Sequence, residues 1–526
     1  MIINQIYNIG KAFFTDEEPV EILLKLQNPP RKEKDEDSPA LLEVEADISD
    51  IEDISYKYAL IDYNVSQESK YLLGLSPGNS TNYSLSLSLN WKKNKKTSFK
   101  KLVGISNQKV GKISVFEKLK EIFKNDESEK DLIDKIEKLI EDIEKREKEI
   151  SDQINDYLLS QGKKNFQNSL FFKIKDNDTT YYLGEIPSMR KMYEYIFFPE
   201  LDKESKNSTC QFCDSNLGIQ MGFHPGTFTI DQKAFKLEFF RGKSKFSTQF
   251  NMCYDCYLKT ILGYSILSNR LNFYAYSIQE GRDNVSIYHY IIPTTRNLKK
   301  LRKDVELIYK TKKSYDDQRI KTLSNQIKSI NRRLEEIKES EKSTAAKLYE
   351  KATANKKENL ENKMEKLKSG ESNEFKLEDL IMQLYSEERE MSIMDIYYKI
   401  TEQKQTPKSK EIINQIIISN KNMKTLGELF KATNKRFNLI SEDLKLWALK
   451  FLMRKREFLH YYSSLFSLNK VSRKDFHKYA SETLKRKFLN DLYESGEKED
   501  RYYRSALKTY EFYNYIFSEA NLWSDI

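Results

Sequence analysis

All four cysteines of the chain lie in two short runs: TCQFC, with Cys210 and Cys213, and NMCYDC, with Cys253 and Cys256. Each pair is a CxxC, the spacing at which two thiolates can face one ion as in a zinc knuckle. Two knuckles supply four sulfurs, the tetrahedral set that suits Zn2+. The rival chemistry for CxxC is thiol–disulfide exchange, where one such motif opens a helix in a thioredoxin-like βαβ unit. Two copies with no thiol left over favour metal. A catalytic ion would keep an open coordination position. Here four thiolates already close the shell, so His224, which lies between the pairs, reads as a loop or core residue and the ion as structural. The 39 residues between the pairs exceed a usual zinc-ribbon gap, and FTIDQKAFKLEFF suggests that a strand hairpin fills it.

Little else in the chain offers chemistry. His224, His289, His460 and His477 fall at no metal or triad spacing. GISNQKVGKI has the look of a phosphate-binding loop, but the interval from Gly104 to Gly111 is wrong and Ile113 stands where Ser or Thr is needed. Without a catalytic motif, the chain reads as a non-enzymatic binding or scaffolding protein.

Three regions are suited to nucleic acid. SPGNSTNYS carries Asn79 and Asn82 among small residues that allow close backbone approach, or else is a plain turn. WKKNKKTSFKK sets Lys92, Lys93, Lys95 and Lys96 beside Trp91 and Phe99, which suits phosphate contact with base stacking or a solvated lysine loop. Residues 421–490 hold 17 Lys/Arg against 6 Asp/Glu, among them Lys435, Arg436, Arg454, Lys455, Arg456, Lys485 and Arg486. That excess predicts a basic face on a helical bundle, the alternative being a merely soluble one.

The elements that must position these groups follow from periodicity. Residues 1–112 read as mixed strand and loop, with SYKYALIDYNVS and YSLSLSLNW alternating as strands. Residues 113–164 predict one long amphipathic helix through Leu132, Ile136, Leu139, Ile143, Ile150 and Ile154. Residues 165–296 return to aromatic strand sequence and contain the zinc element, at about 205–262. Residues 297–375 read as long charged helices and a linker, with a heptad seam of Leu323, Ile327, Ile330, Leu334 and Ile337. Residues 376–526 predict a helical bundle. The fold class is α+β: a mixed N-terminal part with an inserted four-cysteine zinc element, then a mostly α-helical C-terminal bundle. At 526 residues there is room for two to four cores, and the net charge of +9 leans gently toward nucleic acid. Few cysteines, no long apolar run and no export signal in MIINQIYNIGKAFF predict a cytoplasmic protein without membrane contact.

CQFC and CYDC with their wide gap, GNSTNYS, and this order of blocks resemble the large subunit of type I-B CRISPR surveillance complexes (Cascade), in its family with two CxxC knuckles. The motif covers about 50 residues and the architecture most of the chain. The resemblance implies a non-catalytic subunit that sits near the guide RNA and reads the protospacer-adjacent motif in target double-stranded DNA. It further implies help in opening the duplex, recruitment of a helicase–nuclease, and contact with backbone, handle-binding and small subunits, sequence being read by the guide. It also implies that the C-terminal bundle resembles the small subunit. YSEEREMSIMD can encode a ribosome-binding run ahead of Met391 and Met394, an internal start that would yield roughly that bundle. Two readings from other classes are a free-standing zinc-stabilised nucleic-acid enzyme such as a nuclease, and a structural scaffold.

Overall fold

A computed structural model describes residues 2–15, 17–25, 40–64, 67–72, 87–88, 91–92, 109–110, 113–163, 165–166, 169–197, 209–213, 215, 219–220, 223–224, 228–229, 251–280, 283–339, 344–368, 375–389, 391–403, 410–436, 455–495 and 501–524. The chain divides into two compact units, Met1–Ser265 and Ile266–Ile526. The boundary falls inside one helix, whereas the sequence blocks ending at 112, 164, 296 and 375 end within a unit.

The first unit opens with α1 (Ile2–Phe13) and α2 (Pro19–Leu24), and its main sheet is built on β1 (Ala40–Asp47). β1 pairs antiparallel with β2 (Ser55–Asp62) and parallel with β8 (Ser169–Asp176). After α3 (Glu68–Tyr71), β3 (Leu87–Ser88) and β9 (Thr179–Tyr182) add to β8, while β4 (Trp91–Lys92) pairs with β7 (Asn165–Phe166). ALLEVEAD can be central because it is buried nearly throughout. One cluster joins Leu41, Tyr71 and Phe171, with Ile61, Tyr63 and Tyr182 packed on it.

The stretch expected as one long helix is three: α4 (Val115–Ile122), after β5 (Lys109–Val110) and β6 (Ile113–Ser114), then α5 (Glu127–Lys145) and α6 (Glu147–Ser160). Ser114 and Glu117 form a reciprocal cap at the start of α4, and the Asp126 side chain caps α5 by accepting from the Glu129 N–H. At Arg146 the backbone leaves helical geometry, and its guanidinium donates to the Ile54 carbonyl at 2.7 Å. A one-residue break preserves the 4-3-7 apolar spacing, so periodicity alone does not register it. Tyr56, Tyr58 and Leu60 of β2 bond to Asp142, Gln153 and Tyr157, which seats α5 and α6 on the sheet.

In the second unit β14 (Asn272–Glu280), β15 (Asp283–Thr294), β16 (Ile393–Gln403) and β17 (Lys410–Ile418) form a four-stranded antiparallel sheet in that order. β15 and β16 are neighbours through their whole length, from Asn284↔Gln403 to Thr294↔Ile393. Three helices are therefore an insertion between adjacent strands: α9 (Leu298–Glu339), α10 (Thr344–Lys368) and α11 (Leu377–Ser386). Leu323, Ile327 and Ile330 of the heptad seam are buried, and α9 packs along α10. The remainder is mostly helical, with α12 (Asn420–Arg436), α13 (Lys455–Ser467), α14 (Arg473–Ser495) and α15 (Arg501–Glu519), and a short parallel pairing of Val471–Ser472 with Trp523–Ser524. Their core is aromatic, with Phe476 touching Tyr461, Tyr510, Phe517 and Trp523. The chain is thus α+β, with the cysteines in its sheet-containing N-terminal part and helices dominating the C-terminal part. Within 376–526, however, β16 and β17 belong to the sheet. Among the described residues no helix is long and apolar enough to cross a membrane.

A polar group is sealed into this second core. Glu378, in the first turn of α11, is 2% exposed, and the Tyr462 hydroxyl lies 3.4 Å from its carboxylate. His289 of β15 stacks on Tyr462 with ring centroids 5.7 Å apart. Burial, with Lys376 seconding it, lowers His289 to about 3, so the imidazole stays neutral. Burial beside Asp379 raises Glu378 from 4.5 to about 8, against the weaker pull of Lys376 and Tyr462. The native state then holds a proton that the unfolded chain releases above its own pKa. The contribution of Glu378 to stability is fullest below pH 4.5 and is lost as pH rises toward 8. We expect Glu378→Gln to melt several degrees above the parent at pH 8 and close to it at pH 4.5. Equal melting differences at the two pH values would remove Glu378 as the cause.

Candidate metal centre

The two cysteine pairs meet because a short ladder returns the chain to its starting point. β10 (Ile219–Gln220) pairs antiparallel with β13 (Asn251–Met252), which ends one residue before Cys253. Cys210 lies just before a tight turn at Gln211–Cys213, and its N–H donates to the Ser215 carbonyl at 2.7 Å. Cys253 immediately precedes α8 (Tyr254–Arg270), and Cys256 sits in the first turn, where the helix dipole favours negative sulfur.

The four Sγ atoms all lie within 4.8 Å of one another, and Cys213 and Cys253 are 3.5 Å apart. A tetrahedral ion with metal–sulfur bonds of about 2.3 Å needs sulfurs roughly 3.8 Å apart, so the set fits one ion. All four are free thiols; Cys210, Cys253 and Cys256 are buried and Cys213 is exposed. The thiol next to it at Cys256 draws Cys253 down to about 5, whereas contact with Cys253 and burial push Cys256 up. Burial likewise raises Cys210. The sulfurs thus favour one thiolate among thiols, and further ionisation requires a cation between them. Among the described residues this is the one cluster of Cys, His, Asp or Glu placed to hold a metal ion.

A residue far away in sequence completes the setting. Tyr7 of α1 packs its ring on Phe212, inside the first CxxC, with centroids 4.8 Å apart. Its hydroxyl is 3.6 Å from Cys256 Sγ, and burial raises its pKa so that it keeps its proton. The buried Thr260 hydroxyl donates to the Cys256 carbonyl at 2.8 Å. Tyr254 donates to Glu194 of α7 (Pro187–Phe197) at 2.7 Å, fixing the start of α8. α1 reaches the site because two glycines let helix backbones touch. A Cβ on Gly10 would stand 1.6 Å from the Lys259 carbonyl oxygen, and one on Gly263 would stand 1.9 Å from that of Ile6. The sequence reading missed Tyr7. The signal available was Gly10 within an apolar helical run, a mark of close packing.

The other candidates do not gather at this site. His224 lies in β11 (Phe223–His224), paired with β12 (Phe228–Thr229), and is not among the converging groups; residues 230–240 of the expected hairpin lie outside the described residues. So do Asn79, Asn82, Lys93, Lys95, Lys96 and Arg454, whereas Lys92 is placed in β4 and Lys455 and Arg456 at the start of α13. Lys435 and Arg436 are exposed at the end of α12, with the Arg436 guanidinium 5.2 Å from the Tyr515 ring centre. Lys485 and Arg486 are exposed on α14. Met391 and Met394 are buried where β16 begins, so a product starting there would lack β14 and β15, which flank β16 on one side. No protein family, curated protein or solved structure matches the chain.

Close packing of α1 on α8 makes a sharp expectation. Gly10→Ala should destabilise by about 2–3 kcal/mol or more, since a backbone carbonyl cannot yield as a side-chain tip can. It should also reduce metal retention against a chelator. An unchanged melting curve would show that α1 does not support the site.

Proposed function

We propose that the chain is a non-catalytic large subunit of an RNA-guided DNA surveillance complex of the type I-B Cascade kind, with the four cysteines holding a structural Zn2+. The observation that carries this reading is the convergence of Cys210, Cys213, Cys253 and Cys256 on one point, which turns the two motifs of the resemblance into one site. Four sulfurs suit zinc over hard cations and leave no position for water or substrate, which supports a structural rather than a hydrolytic ion. Bound zinc would supply four metal–thiolate bonds and so contribute directly to folding. Tyr7 is placed to donate a hydrogen bond to the Cys256 sulfur once it is a thiolate.

On this reading the nucleic-acid contacts lie away from the metal. Lys435, Arg436, Lys485 and Arg486 offer exposed cations in the helical part, and the segment from Asn79 to Lys96 remains the candidate for reading the DNA motif. The partners are guide RNA, target duplex, the other Cascade subunits and a helicase–nuclease.

Two measurements test the parts separately. Purified chain should carry one zinc, and Cys253→Ser should lose it and melt at lower temperature; a metal-free chain of unchanged stability would defeat the zinc assignment. Expression with neighbouring genes should copurify guide RNA and partner subunits. Metal-dependent cleavage by the isolated chain would replace this reading with a nuclease, and absence of nucleic-acid affinity at low salt would replace it with a scaffold.

A further inference from the structure

Lys299, Lys303, Lys310, Lys321, Lys328 and Arg332 recur along α9 at intervals of 4, 7, 11, 7 and 4. At about 100° per residue they fall within an arc of roughly 60°. All six are exposed; between them the arc also holds Ser314 and Asp317, and past Arg332 it continues to Glu335 and Glu339 at the helix end. Leu301, Val305, Ile308, Leu323, Ile327 and Ile330 lie across the helix and are buried. The result is a cationic ridge about 50 Å long at 1.5 Å per residue.

Its charges are not spent inside the protein. Among the described residues none of the six side chains is in an ion pair. Elsewhere the chain pairs its cations: Lys120 with Asp134 and Glu137, Lys135 with Asp131 and Asp176, and Arg146 with Asp142 and Glu149. Charge is also unevenly shared. Residues 1–265 hold 38 Lys/Arg against 42 Asp/Glu, and residues 266–526 hold 51 against 38. Residues 298–368 alone hold 21 against 12, an excess equal to the net charge of the whole chain.

We infer that this face of α9 is a docking surface for the phosphate backbone of double-stranded DNA, bound without regard to sequence. A duplex carries one charge per 1.7 Å of its axis, so a ridge of this length meets phosphates wherever it lies. Single-strand binders interleave cations with stacking aromatics, and the arc contains none. Membrane-surface helices need an apolar flank, whereas the apolar face of α9 is buried. Its residues are other than the four cysteines and the basic residues of α12 and α14. It holds whether or not the chain works with a guide RNA.

The test uses the full-length, zinc-loaded protein with Lys303, Lys310, Lys321 and Lys328 all changed to Gln. The probe is a mixed-sequence duplex of roughly 30 base pairs, about twice the length of the ridge at 3.4 Å per pair, titrated between about 50 and 200 mM salt. Affinity near 100 mM should fall tenfold or more, and the slope of log K against log salt should shrink by about 3 to 4. The matching Lys→Arg variant should keep the parent slope. So should Lys130, Lys138, Lys145 and Lys148→Gln on α5 and α6, which removes as much charge from elsewhere. An unchanged slope in the α9 variant, or an equal loss in the α5–α6 variant, would overturn the assignment. Tighter binding to a single strand, to anionic vesicles or to an acidic protein would do so too. Loss of duplex binding with guide RNA still copurifying supports the surface and leaves the proposed function intact.

Discussion

Four sulfurs within 4.8 Å of one another set the terms for the N-terminal unit. Left to themselves they ionise unequally, with Cys253 falling and Cys256 and Cys210 rising. A cation there would remove that conflict and join two chain segments that, among the described residues, are paired by a two-residue ladder between Ile219–Gln220 and Asn251–Met252. Two hydrogen-bonded residue pairs cannot by themselves repay the closure of a loop this long, which costs entropy that grows with the logarithm of its length. A metal ion held by the four sulfurs would supply the missing constraint. α1 and α8 then form a platform under it, because Gly10 and Gly263 let the helices approach until Tyr7 reaches both Phe212 and Cys256.

The second unit closes a longer insertion with a strand ladder. β15 and β16 lie side by side from Asn284↔Gln403 to Thr294↔Ile393, although α9, α10 and α11 intervene in the chain. The long ladder, closed below by the packing of Met394, Ile396, Ile291 and Ile292, offsets what the two-residue ladder in the first unit does not. Inside it, a neutral His289 and a protonated Glu378 share the ring and hydroxyl of Tyr462. The sheet can bury these groups because neither carries charge near neutrality.

What was legible in the sequence was whatever a local pattern encodes. CxxC spacing named the four cysteines that converge, alternation located SYKYALID as β2, and the heptad seam gave the buried side of α9. What was not legible depends on partners distant in the chain. MDIYYKI and EIINQIII are short apolar runs that suit helix or strand alike, and only pairing with β15 decides for strand. The one-residue break after α5 keeps the apolar stripe in phase, so the reach of Arg146 to Ile54 decides it, while capping by Asp126 marks the break before α5. Tyr7 carried no motif, and its place beside Cys256 follows from two glycines more than 250 residues apart.

The charges on α9 are the opposite case, where local pattern works against local stability. Lys299 with Lys303, and Lys328 with Arg332, are like-charged neighbours at i and i+4, each costing the helix a few tenths of a kcal/mol. The same chain elsewhere sets an acid at that distance, as in Asp131 with Lys135, Asp142 with Arg146 and Arg302 with Glu306. Propensity and solubility would both be served by glutamate on the ridge. The cost is tolerable because the seam of Leu323, Ile327 and Ile330 anchors α9 along α10. A helix held by one face can carry uncompensated charge on the other, and an anion bound there would relieve the repulsion that folding leaves in place.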